Sequence, residues 1–229
     1  LRARGFDCAV DASHPFAFSL SGAAACRLSG AGTRIGSESG GQDGWYTHLV
    51  PGMSPDDHES LTLHRLGSLW KGWPGFSPPV LKARGASSPG GIGLHVGASR
   101  GEFVPRDTLA LIAAGLSGMG RVTLFWSGPE EHAIACSLEA RGPAVSPALD
   151  IDGLLDAVSG LDLFVTADNG PMHVASALGV PVLALFRFPN HSRFRPLSEG
   201  SRVLCDPAGP PAGMVLEAAR AMLPVPGRG

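Results

Sequence analysis

Apolar residues in the second half of the chain come in short unbroken runs rather than in alternation. The clearest pair brackets a turn in LDLFVTADNGPMHVASALGVPVLALF, residues 161–186. Its first run (161–166) and its last (180–186) are of strand length and too continuous for strands with one wet face, which predicts two buried parallel strands. Between them Asn169 suits a helix cap, Gly170 a backbone conformation closed to other residues, and Pro171 the first helical position, where no amide hydrogen is needed. Gly179 then stops the helix. So short a turn points the helix's free amides past the carboxyl end of the sheet, where open α/β folds bind ligands and where an anion is the expected guest. Asp168, Asn169 and His173 add chemistry. A histidine in the first helical turn is disfavoured as a cation unless negative charge sits close by, and a bound phosphate supplies that charge. A capping Asp168 and an ordinary surface His173 fit the motif about as well.

The same punctuation recurs along the chain. It predicts strands at 92–96, 122–126, near Val145 and at 202–204, and helices at 107–116, 130–141, 151–158 and 213–223. Strands alternating with helices mean a parallel sheet covered on both faces. Nearer the start the pattern predicts strands at 6–12, 33–36 and 45–50, a small-residue helix at 18–28, an exposed loop at 37–44 and an amphipathic helix at 55–70. Asp56, Asp57 and Glu59 suit that last helix's N-terminus. Residues 73–91 are rich in Pro, Gly and Ser, a composition that holds neither a helix nor a central strand. The expected organisation is a domain at 1–77, a linker at 78–91 and a second domain at 92–229.

Composition narrows the class. With 229 residues, 44% hydrophobic content and a formal charge of -2, the chain reads as a globular protein without the basic excess of a nucleic-acid binder. Its four cysteines form no CxxC pair, so neither a zinc site nor a disulfide framework is indicated, and a reducing, cytoplasmic setting fits. No apolar run approaches the ~20 residues needed to span a bilayer, and nothing resembles a signal peptide. The chain opens on Leu1 and enters a strand pattern almost at once, an abrupt start that creates the expectation of missing upstream sequence.

Two further loops should share the edge occupied by Asp168 and His173. In HVGASRGEFVP, residues 95–105, small residues let a ligand approach the backbone, and Ser99 and Arg100 offer donors. A phosphate-binding turn and an ordinary Gly-Ser loop remain open there. In WSGPEEH, residues 126–132, Glu130 and Glu131 sit at a helix start, as dipole partners or as the carboxylate that holds a ribose diol.

In order and spacing these loops resemble glycosyltransferase family 9, the heptosyltransferases of lipopolysaccharide core assembly. The segment at 162–186 is similar to the family's strand, Asp-x-Gly-x-x-His turn and helix ending in Ala-x-Gly-x-Pro, here Asp168, Gly170, His173, Ala177, Gly179 and Pro181. The resemblance implies a GT-B architecture, two Rossmann-like domains with the first incomplete here and the C-terminal nucleotide-sugar domain intact. It implies transfer of heptose or a related sugar from an ADP-sugar to a lipopolysaccharide core acceptor, with inversion, no bound metal and no cofactor. Carried over, Asp168, Asn169, Gly170 and His173 meet the diphosphate and sugar, Ser99 the phosphates, and Glu130 or Glu131 the ribose or adenine. An acceptor on the inner leaflet implies at most peripheral membrane contact.

The chain departs from the family pattern in three places. Arg100 and Glu102 stand where members carry a lysine, and Arg187, Phe188, Pro189 and Asn190 where they carry a small Gly-Pro turn. The family's general base is expected upstream of Leu1, with Asp11 and His14 as weak substitutes, so the expected activity of this stretch alone is low. A nucleotide-binding part without catalysis, and another GT-B enzyme such as a sugar-nucleotide epimerase, are the alternatives.

Overall fold

A computed structural model describes residues 5–13, 16–39, 44–70, 72–85, 90–98 and 104–224. His14, residues 40–43 of the loop expected at 37–44, Ser99, Arg100 and Glu102 lie outside the described residues. The chain divides into two compact units, Leu1–Ser77 and Pro78–Gly229.

The first unit is a small parallel sheet of β1 (Cys8–Val10), β2 (Thr33–Ser37) and β3 (His48–Val50), in that spatial order. Helix α1 (Leu20–Leu28) joins β1 to β2, and α2 (Glu59–Gly67) follows β3. Ile35, Val50 and Leu66 form its buried centre. Helix α2 is shorter than its sequence pattern suggests. His58 is its N-cap, accepting from the Ser60 amide, and Asp57 lies outside the helix, where it pairs with Arg65.

The second unit carries the site. Its six parallel strands are β4 (Ile92–His95), β5 (Val122–Phe125), β6 (Ala144–Val145), β7 (Leu163–Ala167), β8 (Val182–Phe186) and β9 (Arg202–Cys205). In space they run β6-β5-β4-β7-β8-β9. The chain thus builds outward from β4 in one direction, returns to lay β7 on the other side of β4, and continues outward. At such a reversal the connections leaving the two central strands part to opposite faces, and a crevice opens at their carboxyl ends.

Helices cover both faces, as continuous apolar strands require. On one side α3 (Arg106–Ser117), α4 (Gly128–Glu139) and α8 (Ala212–Met222) pack against Leu163, Val165, Leu183 and Leu185. On the other, α5 (Ile151–Ser159) and α6 (Gly170–Ala177) pack against Phe164, Val182, Ala184 and Phe186. Alternate residues of one run therefore feed two cores, which explains why β7 and β8 show no polar alternation. Gly93 makes room in the second core, since a Cβ there would overlap Phe164 and Leu161. A short helix, α7 (His191–Phe194), follows β8 where the sequence pattern gave no sign of one.

Part of the segment expected as a linker lies on the second unit. The Leu81 amide donates to the Ala177 carbonyl at 2.7 Å, and the Arg84 and Gly85 amides both donate to Asp156 Oδ1, at 3.0 and 2.8 Å. Its prolines rule out a helix but leave these amides available to the neighbouring helices.

Candidate functional site

Strand β7 delivers Asp168 to the carboxyl edge of the sheet, and Asn169 caps α6. The Asn169 Oδ1 accepts from the Met172 amide at 3.0 Å and from Thr166 Oγ1 at 3.1 Å. Pro171 falls in the first helical turn, as its fixed φ favours. Gly170 corrects an expectation: it is not among the residues with positive φ, and a Cβ added there would meet nothing within 4 Å. Gly179, at φ +80°, does adopt the left-handed conformation that ends α6.

The other half of the crevice is the connection leaving β4. Asn169 Nδ2 donates to the Gly97 carbonyl at 3.0 Å and lies 3.2 Å from His95 Nδ1, so one buried amide joins the two central turns. His95 is only 3% exposed. The Gly97 amide also donates to His95 Nδ1, at 3.1 Å. With Nδ1 accepting, the imidazole's proton sits on Nε2. That nitrogen is buried without a hydrogen-bond partner, 3.9 Å from Glu131 Oε2. Burial lowers the pKa of His95, while the Glu131 carboxylate and the Gly97 carbonyl, 3.2 Å from Nδ1, pull it back in part.

Glu130 and Glu131 open α4. Glu131 Oε2 reaches back to accept from the Ser127 amide at 2.6 Å, which satisfies an N-terminal donor of the helix. Glu130 is exposed. Neither belongs to the wall of the cavity above β7. Beside them Trp126 donates from Nε1 to the Ser146 carbonyl at 2.9 Å and lies against the tilted ring of His132, with centroids 4.3 Å apart.

The cavity itself has a volume of about 560 Å³ and lies at the carboxyl ends of β4, β7 and β8. Asp168, Asn169, Gly170 and His173 form one side, Ala98 another, and Arg187, Phe188 and Asn190 a third. Ser99 and Arg100 follow Ala98 directly but are outside the described residues. The Asn190 Nδ2 stands 3.4 Å from Asp168 Oδ2. Asn190 and Phe188 were read in the sequence only as a departure from a Gly-Pro turn; their position just after a buried strand was the available signal. His173 reaches the surface, yet burial of its ring lowers its pKa, against the opposing pull of Asp168. The space thus combines the N-terminus of α6, where Pro171 has no amide hydrogen and the Met172 amide is taken by Asn169, with a histidine held toward neutrality and an arginine, groups suited to an anion with an apolar neighbour.

Asp11, in the first unit, is occupied. It accepts from the amide and hydroxyl of Ser13 at 2.9 and 2.6 Å and from the Tyr46 hydroxyl at 2.5 Å. Burial raises its pKa, but these hydrogen bonds outweigh burial and leave it below the usual value, which weakens it as a proton acceptor.

Residues 105–214 match the model of glycosyltransferase family 9 (heptosyltransferase), a span that includes α4, the Asp168 turn and the Arg187 connection. Over that span the chain is similar to that family. A curated relative, lipopolysaccharide heptosyltransferase 3 of Escherichia coli, is 29% identical over 90 residues, which cover 36% of this chain and 26% of the relative. The matched segment is therefore about a quarter of that protein's length. Among solved structures, Escherichia coli ADP-heptose lps heptosyltransferase II aligns over 96% of this chain and 77% of its own, at 19% identity and a TM-score of 0.69. An Escherichia coli heptosyltransferase with ADP aligns over 96% and 74%, at 16% identity and a TM-score of 0.72. A family 9 glycosyltransferase from Veillonella parvula aligns over 96% and 75%, at 18% identity and a TM-score of 0.76. The chain shares the α/β fold of these proteins, with parallel sheets in both units, the GT-B class. Among the described residues no helix is long and apolar enough to cross a membrane.

Proposed function

We propose that this chain is the donor-binding part of a glycosyltransferase that moves heptose, or a related sugar, from an ADP-sugar to a lipopolysaccharide core acceptor. The reading includes inversion at the anomeric carbon, no requirement for a metal ion, and action at the cytoplasmic face with at most peripheral membrane contact. One observation carries it: Gly170, His173 and the amide end of α6 face a single cavity at the reversal point of a parallel sheet.

The chemistry follows from where charge develops. As the bond from the anomeric carbon to the diphosphate breaks, negative charge gathers on the departing phosphate. Amides fixed at the start of α6 stabilise it without reorganising, and His173 adds a hydrogen bond that strengthens as the charge grows. Gly170 leaves room for the phosphate to approach the backbone. Asp168 faces the sugar, Ser99 and Arg100 complete the phosphate side, and Glu130 or Glu131 holds the ribose. No described residue is assigned the role of general base.

Calorimetric titration with ADP, ADP-heptose and UDP, repeated with His173→Ala, tests this. Adenine nucleotides should bind selectively. Loss of one charge-assisted hydrogen bond should weaken them roughly tenfold to a hundredfold. Failure of every nucleotide to bind would overturn the reading.

A further inference from the structure

On the reading of this cavity as a nucleotide site, we propose that Arg187 is the group that gives it affinity for a diphosphate as opposed to a nucleoside. Arg187 is the first residue after β8, so the sheet fixes its Cα at the carboxyl edge beside Asp168. Its Nε donates to the Pro207 carbonyl at 3.1 Å. That carbonyl belongs to the turn following β9, which is itself tied to β8 by the Asp206 amide donating to the Phe186 carbonyl at 2.9 Å. Two strands thus brace the guanidinium at the rim, and less of its rotamer freedom is left to lose when an anion arrives.

The charges of the described wall give the arginine its weight. Among the described lining residues, Arg187 supplies the lysine or arginine cation and Asp168 the carboxylate. His173 is held toward its neutral form, and the α6 amides contribute a partial charge that fades within the first turn. Among the described lining residues, a diphosphate entering without Arg187 would meet the Asp168 carboxylate with that partial charge to offset it. The guanidinium reverses the balance and presents a planar fork that matches phosphate oxygens. Adenosine, lacking phosphates, draws nothing from it.

The test is titration of the full chain and of Arg187→Gln and Arg187→Lys with ADP and with adenosine, at two salt concentrations. Arg187 is exposed, and circular dichroism of each variant checks that the fold is retained. Arg187→Gln should weaken ADP roughly tenfold to a hundredfold, by an amount that shrinks as salt rises, and leave adenosine unchanged. Arg187→Lys, which keeps the charge but loses the fork, should fall between. If the unaltered chain binds ADP and Arg187→Gln binds it equally well, the inference fails while the nucleotide reading stands. An equal loss for adenosine also overturns it, because the arginine would then shape the nucleoside side. If the unaltered chain binds neither ADP nor adenosine, both fail.

Discussion

Asn169 Nδ2 donates to the Gly97 carbonyl at 3.0 Å, across 72 residues of sequence, and so holds together the turns that leave the two central strands. The same side chain caps α6 through the Met172 amide. Losing a cap costs about 0.5–2 kcal/mol, and a buried carbonyl left without its donor costs about 1–3 kcal/mol. Asn169→Ala should therefore lower stability by about 2–4 kcal/mol in urea denaturation. It should also weaken ADP in calorimetry, since the β4 turn is no longer tied to the α6 amides. A stability loss below about 1 kcal/mol would mean that water replaces both bonds.

His95 makes stability depend on pH. Its pKa in the folded chain lies below the ordinary 6.5, chiefly through burial. Above 6.5 neither state carries the proton and His95 contributes no pH dependence. As pH falls below 6.5 the unfolded chain binds the proton first, so stability declines until the folded pKa is reached, at up to about 1.4 kcal/mol per pH unit. In His95→Gln, which keeps an acceptor for the Gly97 amide and does not titrate, denaturation midpoints between pH 6.5 and 5 should fall less steeply. Parallel slopes for both proteins would show that His95 is accessible to protons in the folded state.

How much of this could be read from the sequence depends on how local each feature is. The α6 motif was legible because Asn169, Pro171 and Gly179 act on the backbone within a few positions of themselves. The β7 and β8 runs were legible because double burial leaves no polar alternation. The strand order was not, because nothing local to β4 or β7 says which strand lies beside it, and with it went the Asn169–Gly97 bond. Gly170 reads in the sequence as a conformational glycine, yet its φ is not positive, a distinction that needs the backbone itself. The Pro- and Gly-rich composition at 73–91 placed a boundary but hid the bonds from Leu81, Arg84 and Gly85 to the second unit, since backbone amides leave no mark in side-chain composition. Helix α7 escaped because four residues carry no period.

Gly97 and Glu131 form the least obvious pair. A Cβ at Gly97 would overlap the Glu131 carboxylate, the group that accepts from the Ser127 amide and faces His95 Nε2. Gly97 is not among the positive-φ glycines, so alanine there meets a clash but no backbone strain. Gly97→Ala should thus displace Glu131, free the Ser127 amide and destabilise by about 1–3 kcal/mol. If the displaced carboxylate is the cause, most of that cost should vanish when Gly97→Ala is made on Glu131→Ala, giving a coupling of about 1 kcal/mol or more in a denaturation-based double-mutant cycle. Adenosine titration of the same four proteins adds the functional half. A ribose held by Glu131 should be weakened by either single change and no further by both. Additive stability losses would instead place the clash at Gly97 on groups other than Glu131.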